Sequence, residues 1–138
     1  MGKETIVIDG ASKRGVLVED SAPCSALRIV IVNWNSGEQL RQCLESIGQA
    51  EMTNCVASVV VVDNASTDNS LVSLPEVRVP VTVIRNDVNR GFAAACNQGA
   101  LGCGAQLVLF LNPDTRILSD SIRVGVQYMQ DVGNGKVA

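Results

Sequence analysis

Apolar residues along the chain follow two alternating rhythms. Four near-continuous apolar runs of strand length, "LRIVIVNW", "VASVVVVD", "VPVTVIRN" and "QLVLFLN", begin at Leu27, Val56, Val79 and Gln106. Between and after them come helical patterns. In "NSGEQLRQCLESIG" the apolar positions Leu40, Cys43, Leu44 and Ile47 recur at i, i+3, i+4 and i+7, one face of a helix. Ser36 and Gln39 read as a capping box before it, and Gly48 as its stop. "STDNSLVSL" predicts a short helix or turn, "GFAAACNQGALG" a helix of small residues, and "SDSIRVGVQYMQDV" a last helix with Ile122, Val126 and Met129 on one side.

Strands that are apolar on both faces, each followed by a helix or turn, are what a parallel sheet covered on both sides requires. The expected fold is therefore α/β, a doubly wound and mostly parallel sheet over residues 27–138. Residues 1–26 read as an extension. "ETIVIDGASKRGVLVED" has two short β-like runs around a Gly-rich turn, a β-hairpin pattern, and "SAPCSA" a linker.

In such a sheet ligands bind outside the carboxyl ends of the strands. The segments that leave those ends are Asn33-Trp34-Asn35-Ser36, Asp63-Asn64-Ala65-Ser66-Thr67-Asp68, Arg85 through Phe92, and Asn112-Pro113-Asp114-Thr115. Asn, Asp and Ser are ordinary turn and cap residues in any single loop. Four such clusters on one edge favour a polar site. Trp34 is either a platform on which a planar base stacks or a core aromatic. Asp63 and Asn64 offer acceptors for the ring N–H of a pyrimidine. Gly91 opens a helix of Phe, Ala and Cys, at whose start backbone N–H groups can approach a phosphate. Proline cannot continue a central strand, so Pro113 ends the fourth one and sets Asp114 just off the sheet. A single carboxylate there suits Mg²⁺ or Mn²⁺, with phosphate oxygens and water completing the shell.

Composition narrows the chemistry. With 138 residues, 46% of them hydrophobic and 18% charged, the chain fits one globular domain. A net charge of −3 without a run of Lys or Arg argues against nucleic acid as a partner. The absence of histidine removes Ser-His and Cys-His nucleophile pairs and His-ligated zinc. Any metal is then expected on oxygen ligands. The five cysteines form no C-x-x-C pair and read as reduced thiols of a cytoplasmic protein. Asn64-Ala65-Ser66 matches a glycosylation sequon, which the reduced thiols disfavour.

Taken in order, "IVIVNWNSGEQLRQCLESI", "VVVVDNASTDNS", "RNDVNRGFAAACNQG" and "LVLFLNPDT" closely resemble the family 2 glycosyltransferases, and most nearly their rhamnosyltransferase-like branch. The resemblance runs from Leu27 to the end of the chain. It implies the Rossmann-like GT-A fold and transfer of a sugar, with inversion, from a nucleoside-diphosphate sugar to a saccharide or lipid-linked acceptor. The donor would be dTDP- or UDP-linked, and dTDP-rhamnose is one candidate. By this analogy Trp34, Asp63 and Asn64 lie at the base and Asn89 and Gly91 near the diphosphate-sugar, with Asn33, Ser66 and Asn112 also in the donor site. Asn112-Pro113-Asp114 takes the place of the family's D-x-D, with Asp114 on the metal. The second acid of the usual Asp-Asp pair is Asn64 here.

Family members continue into an acceptor-binding half that supplies the catalytic base. This chain, ending "VGNGKVA", is thus expected to be the donor-binding part, with no base of its own and the base beyond Ala138. Asp120 and Asp131 read as cap and surface charges. Cell-envelope polysaccharide synthesis at the inner face of the membrane would be its setting. The competing expectation is a non-catalytic nucleotide-binding or self-associating module derived from such an enzyme, association being through an exposed sheet edge. A nucleotidyltransferase is disfavoured because no Gly-rich loop with Lys or Arg follows the first strand.

Overall fold

The computed structural model describes residues 26–135 and the backbone of residues 5–8. Five strands form one sheet: β1 (Thr5–Ile8), β2 (Leu27–Asn33), β3 (Val56–Asp63), β4 (Val81–Arg85) and β5 (Leu107–Leu111). They lie in the order β1-β4-β3-β2-β5. The last four named are mutually parallel, and β1 joins the outer edge of β4 antiparallel. Among the described residues three α-helices follow the strands, α1 (Glu38–Gln49), α2 (Phe92–Ala100) and α3 (Ser121–Gly133), and a 3-10 turn (Thr53–Cys55) precedes β3.

The two-residue period of a strand divides the apolar runs between two cores. Ile29, Ile31, Val59, Val61, Val81 and Val83 pack with Leu40, Cys43, Leu44 and Ile47 of α1 and with Ile122 and Val126 of α3. Their neighbours Val30, Val32, Val60 and Val62 face the other way, against Ala95 and Cys96 of α2. The sheet is therefore doubly wound, as the unbroken apolar runs require. Each fully buried Val, Leu or Ile contributes about 1.5–3 kcal/mol. The close approach of α2 depends on Gly99, where a Cβ would fall 2.4 Å from Val30 Cγ1 and 3.1 Å from Val62 Cγ2.

Several local expectations are corrected. Ser36 and Gln39 form no capping box. The Ser36 hydroxyl donates to Asn33 Oδ1, and the N-cap of α1 is Gly37, whose N–H donates to Asp68 Oδ2 at 2.8 Å. A distant loop thus supplies the acceptor that the local sequence was expected to give. Gly48 does not stop α1. It lies inside the helix, where a Cβ would come 3.0 Å from Val77 Cγ1, and the helix runs on to Gln49. Of the two forms expected for "STDNSLVSL", a short helix or a turn, the structure has the turn. Met129 is largely exposed, not buried with Ile122 and Val126. The strand Thr5–Ile8 pairs with β4, and the second arm of the expected hairpin lies outside the described residues.

β5 also departs from the pattern. Leu107, Leu109 and Leu111 pack on the α1/α3 core, but Val108 and Phe110 are 37% and 45% exposed. α2 lies over β2 and β3, so among the described residues the second face of β5 is left largely uncovered.

Candidate functional site

The register of the sheet builds the site. Asn33 of β2 pairs with Asp63 of β3, and Asp63 with Arg85 of β4. The ladder continues one step further, with Asn64 N–H donating to Asn33 O (2.8 Å) and Asn86 N–H to Asp63 O (2.9 Å). β5 runs parallel beside β2, with Leu111 opposite Ile31. Asn112, Pro113 and Asp114 therefore leave the sheet at the same edge.

Asn33 and Asp63 are buried at the centre of this edge. Asn33 Nδ2 lies 2.7 Å from Asp63 Oδ1, with Ser70 Oγ at 2.9 Å and Ser66 Oγ at 3.2 Å as acceptors for its second hydrogen. Asp63 Oδ2 accepts from Ser66 N–H at 3.1 Å. The Asp63 carboxylate thus holds two loops together, and its remaining acceptor capacity is what a ligand could use. Asn64 is buried as well, its amide hydrogen-bonded to Asn86, Arg90 and Gly91. A buried asparagine with a bonded amide is no acceptor for a glycan, so the sequon at this position is a coincidence of sequence.

Trp34 lies next to this pair and is 59% exposed, which removes the core-aromatic alternative. Ser66 bridges, its Oγ accepting from Asn35 N–H at 2.9 Å. Asn35 holds a left-handed φ of 48°, a conformation Asn tolerates. Its Oδ1 accepts from the N–H groups of Thr67 (2.8 Å) and Asp68 (3.3 Å). The Ser70 hydroxyl, with further backbone N–H groups, draws the Asp68 carboxyl below its usual range. None of Asn35, Asp68 or Ser70 was assigned a role from the sequence, although Asn35 and Asp68 lay in its polar clusters.

On the other side of β3, Asn89 Oδ1 accepts from Gly91 N–H at 2.8 Å. Gly91 caps α2 with φ 81°, a left-handed value that any other residue would adopt at a cost. Asn89, Arg90 and Gly91 are exposed.

Asn112 and Asp114 are exposed, and Asp114 makes no hydrogen bond or ion pair among the described residues. Asn112 O instead accepts from Thr115 N–H (3.0 Å), closing a turn over Pro113. No three Asp, Glu, Cys or His side chains gather into a ready cage among the described residues. Beside β5 the donor set is one uncommitted carboxylate, Asp114. That fits Mg²⁺ or Mn²⁺ only if a bound ligand brings further oxygens. Asp120 and Asp131 lie elsewhere, Asp120 at the N-cap of α3 and 3.8 Å from Arg123.

The sequence profile of glycosyl transferase family 2 matches residues 28–137. The chain belongs to this family. An uncharacterized glycosyltransferase of Haemophilus influenzae is 30% identical over 108 residues, which are 78% of this chain and 36% of that protein. Among solved structures, residues 1–349 of S. aureus TarS superpose with a TM-score of 0.68 at 21% identity, over 77% of this chain and 32% of that one. The same TarS fragment has been solved with UDP and with UDP-GlcNAc. A mannosyltransferase from Pyrobaculum calidifontis, in complex with GDP-Man and Mn²⁺, gives a TM-score of 0.68 at 21% identity, over 76% of this chain and 32% of that one. These likenesses show the GT-A fold. The chain spans about a third of the length of the relatives it matches.

Proposed function

We propose that this chain is the donor-binding part of an inverting glycosyltransferase. It would take a nucleoside-diphosphate sugar, dTDP- or UDP-linked, and serve transfer to a saccharide or lipid-linked acceptor. The observation that carries the reading is the convergence of Trp34, Asp63, Gly91 and Asp114 on one sheet edge, in a member of a glycosyltransferase family. Trp34 offers an exposed ring for stacking the base, and Asp63 a carboxylate at the same strand ends. The N-terminus of α2 offers the backbone N–H groups of Phe92, Ala93 and Ala94 to a diphosphate. Asp114 would hold Mg²⁺ or Mn²⁺, which when bound neutralises charge on a leaving diphosphate. No residue described here is assigned as the base that takes the acceptor proton. The free thiols of Cys43, Cys96 and Cys103 fit a reducing, cytoplasmic setting.

Calorimetric titration with UDP, dTDP and GDP, with and without Mn²⁺, tests this on the wild type and on Asp114→Asn. Mn²⁺-dependent binding that the variant loses is the expected result, and the tightest nucleotide identifies the base. A folded wild type that binds none of them would overturn the reading.

A second reading has its own observation. Among the described residues β5 ends the sheet with no strand on its outer side, and Val108 and Phe110 are exposed, so copies of the chain could pair through it. Sedimentation of the wild type against Phe110→Lys decides this. A concentration-dependent dimer that the variant abolishes supports self-association, and a monomer throughout rejects it.

A further inference from the structure

From the amide geometry we infer that Asn64 is a positioning residue: it fixes the β4–α2 loop that carries Gly91, and it does not read the base. This rests on the donor-site reading given above. The Asn64 side chain is 2% exposed. Its Oδ1 accepts from Asn86 Nδ2 at 3.1 Å and from Arg90 N–H at 3.3 Å, and its Nδ2 donates to Gly91 O at 3.2 Å. An asparagine amide has two acceptor sites and two hydrogens. Both acceptor sites and one hydrogen are used, so the oxygen that could meet a pyrimidine ring N–H is already saturated.

The orientation of the amide is fixed by its backbone partners. Arg90 N–H can only donate and Gly91 O can only accept, so a flipped amide would lose both bonds. Asn86 passes the link on. Its Nδ2 donates to Gln98 Oε1, and Gln98 Nε2 returns a bond to Asn86 Oδ1, both at 2.9 Å. Asn64, Asn86 and Gln98 thereby tie together the end of β3, the end of β4 and the body of α2. Gly91 O also accepts the first helical bond of α2, from Ala95 N–H at 3.2 Å. The start of α2 is thus held from β3 as well as from within the helix.

An aspartate at position 64 would turn the donor into an oxygen facing Gly91 O. It would keep the bonds from Asn86 and Arg90 and change the Gly91 contact from attraction to repulsion. Asn64→Asp is therefore a near-isosteric probe of this single contact, and Gln98→Ala loosens the same loop from the far end. Amide hydrogen exchange is followed in the folded chain, wild type and both variants, beside titration with uridine, UDP, thymidine and dTDP.

Exchange at Gly91 and Ala95 should rise about tenfold in both variants, the loss expected for one hydrogen bond at the Gly91 contact. Amides in the centre of β2 should not change. UDP or dTDP should weaken about tenfold while the nucleoside keeps its affinity. If exchange at residues 90–95 is unchanged in both variants, or nucleoside and diphosphate weaken alike, Asn64 does not position the loop as inferred. If the wild type binds no nucleotide but the loop loosens in the variants, the positioning stands and the donor-site reading fails.

Discussion

Asn33 and Asp63 close the carboxyl ends of neighbouring strands through a 2.7 Å bond between Asn33 Nδ2 and Asp63 Oδ1, both side chains buried. The contact joins the loop before α1 to the loop after β3, and Ser66 and Ser70 complete it. Removing one partner would leave a buried polar group unsatisfied. Asn33→Ala should destabilise the fold by about 1–3 kcal/mol, read as a lowered urea midpoint with the slope unchanged. No shift in the midpoint would mean that the Asp63 carboxylate is reached by water and the contact is dispensable.

Gly99 sets the distance between α2 and the sheet. Gly99→Ala places a methyl against Val30 and Val62, on the face lined by Cys96 and Ala95. The overpacking should cost about 1–3 kcal/mol, against the slight gain that alanine brings to an ordinary helix position. Thermal unfolding of the variant gives the sign directly.

Cys43 is buried between α1 and the sheet, and burial pushes its thiol up to about 11, with Arg116 opposing and Asp114 adding to the rise. The folded state therefore prefers the neutral thiol. Its contribution is full below the ordinary value of 9.0 and declines as pH rises from there toward about 11. Burial thus keeps Cys43 neutral and covered at pH 8, so alkylation of the native protein should reach the partly exposed Cys103 before Cys43. Mass spectrometry of timed iodoacetamide reactions tests the order, and faster modification at Cys43 would contradict its burial.

Trp34 separates binding from folding. Because its ring stands mostly in solvent, Trp34→Ala should leave stability within about 0.5 kcal/mol of wild type. If a base stacks on it, nucleotide affinity should fall by about 1–3 kcal/mol, the range for one base on one aromatic ring. Unchanged nucleotide affinity in this variant would remove Trp34 from the donor site.

The order of local patterns made the α/β architecture legible before any coordinates. Runs such as Val59-Val60-Val61-Val62 can be satisfied only by burial on both faces, and their polar ends must then share an edge. That is why Asp63, Gly91 and Asp114 could be named together from the sequence. The capping of α1 was not legible, because Gly37 is bonded by Asp68 from another loop and no local spacing encodes that contact. The exposed face of β5 escaped for a similar reason. "LVLFL" reads like the central strands, and only the strand order puts Val108 and Phe110 where α2 does not reach.

Asn64 marks the division most sharply. Its position after a buried strand, beside Asp63, was determined by the sequence, and so was its chemistry as an amide. Which way that amide turns depended on three segments meeting, with Arg90 N–H, Gly91 O and the Asn86–Gln98 pair arriving from separate elements. Side-chain periodicity fixes the face on which a residue lies. The hydrogen-bond partners it finds there are set by tertiary packing alone, since every buried donor and acceptor must be matched at once.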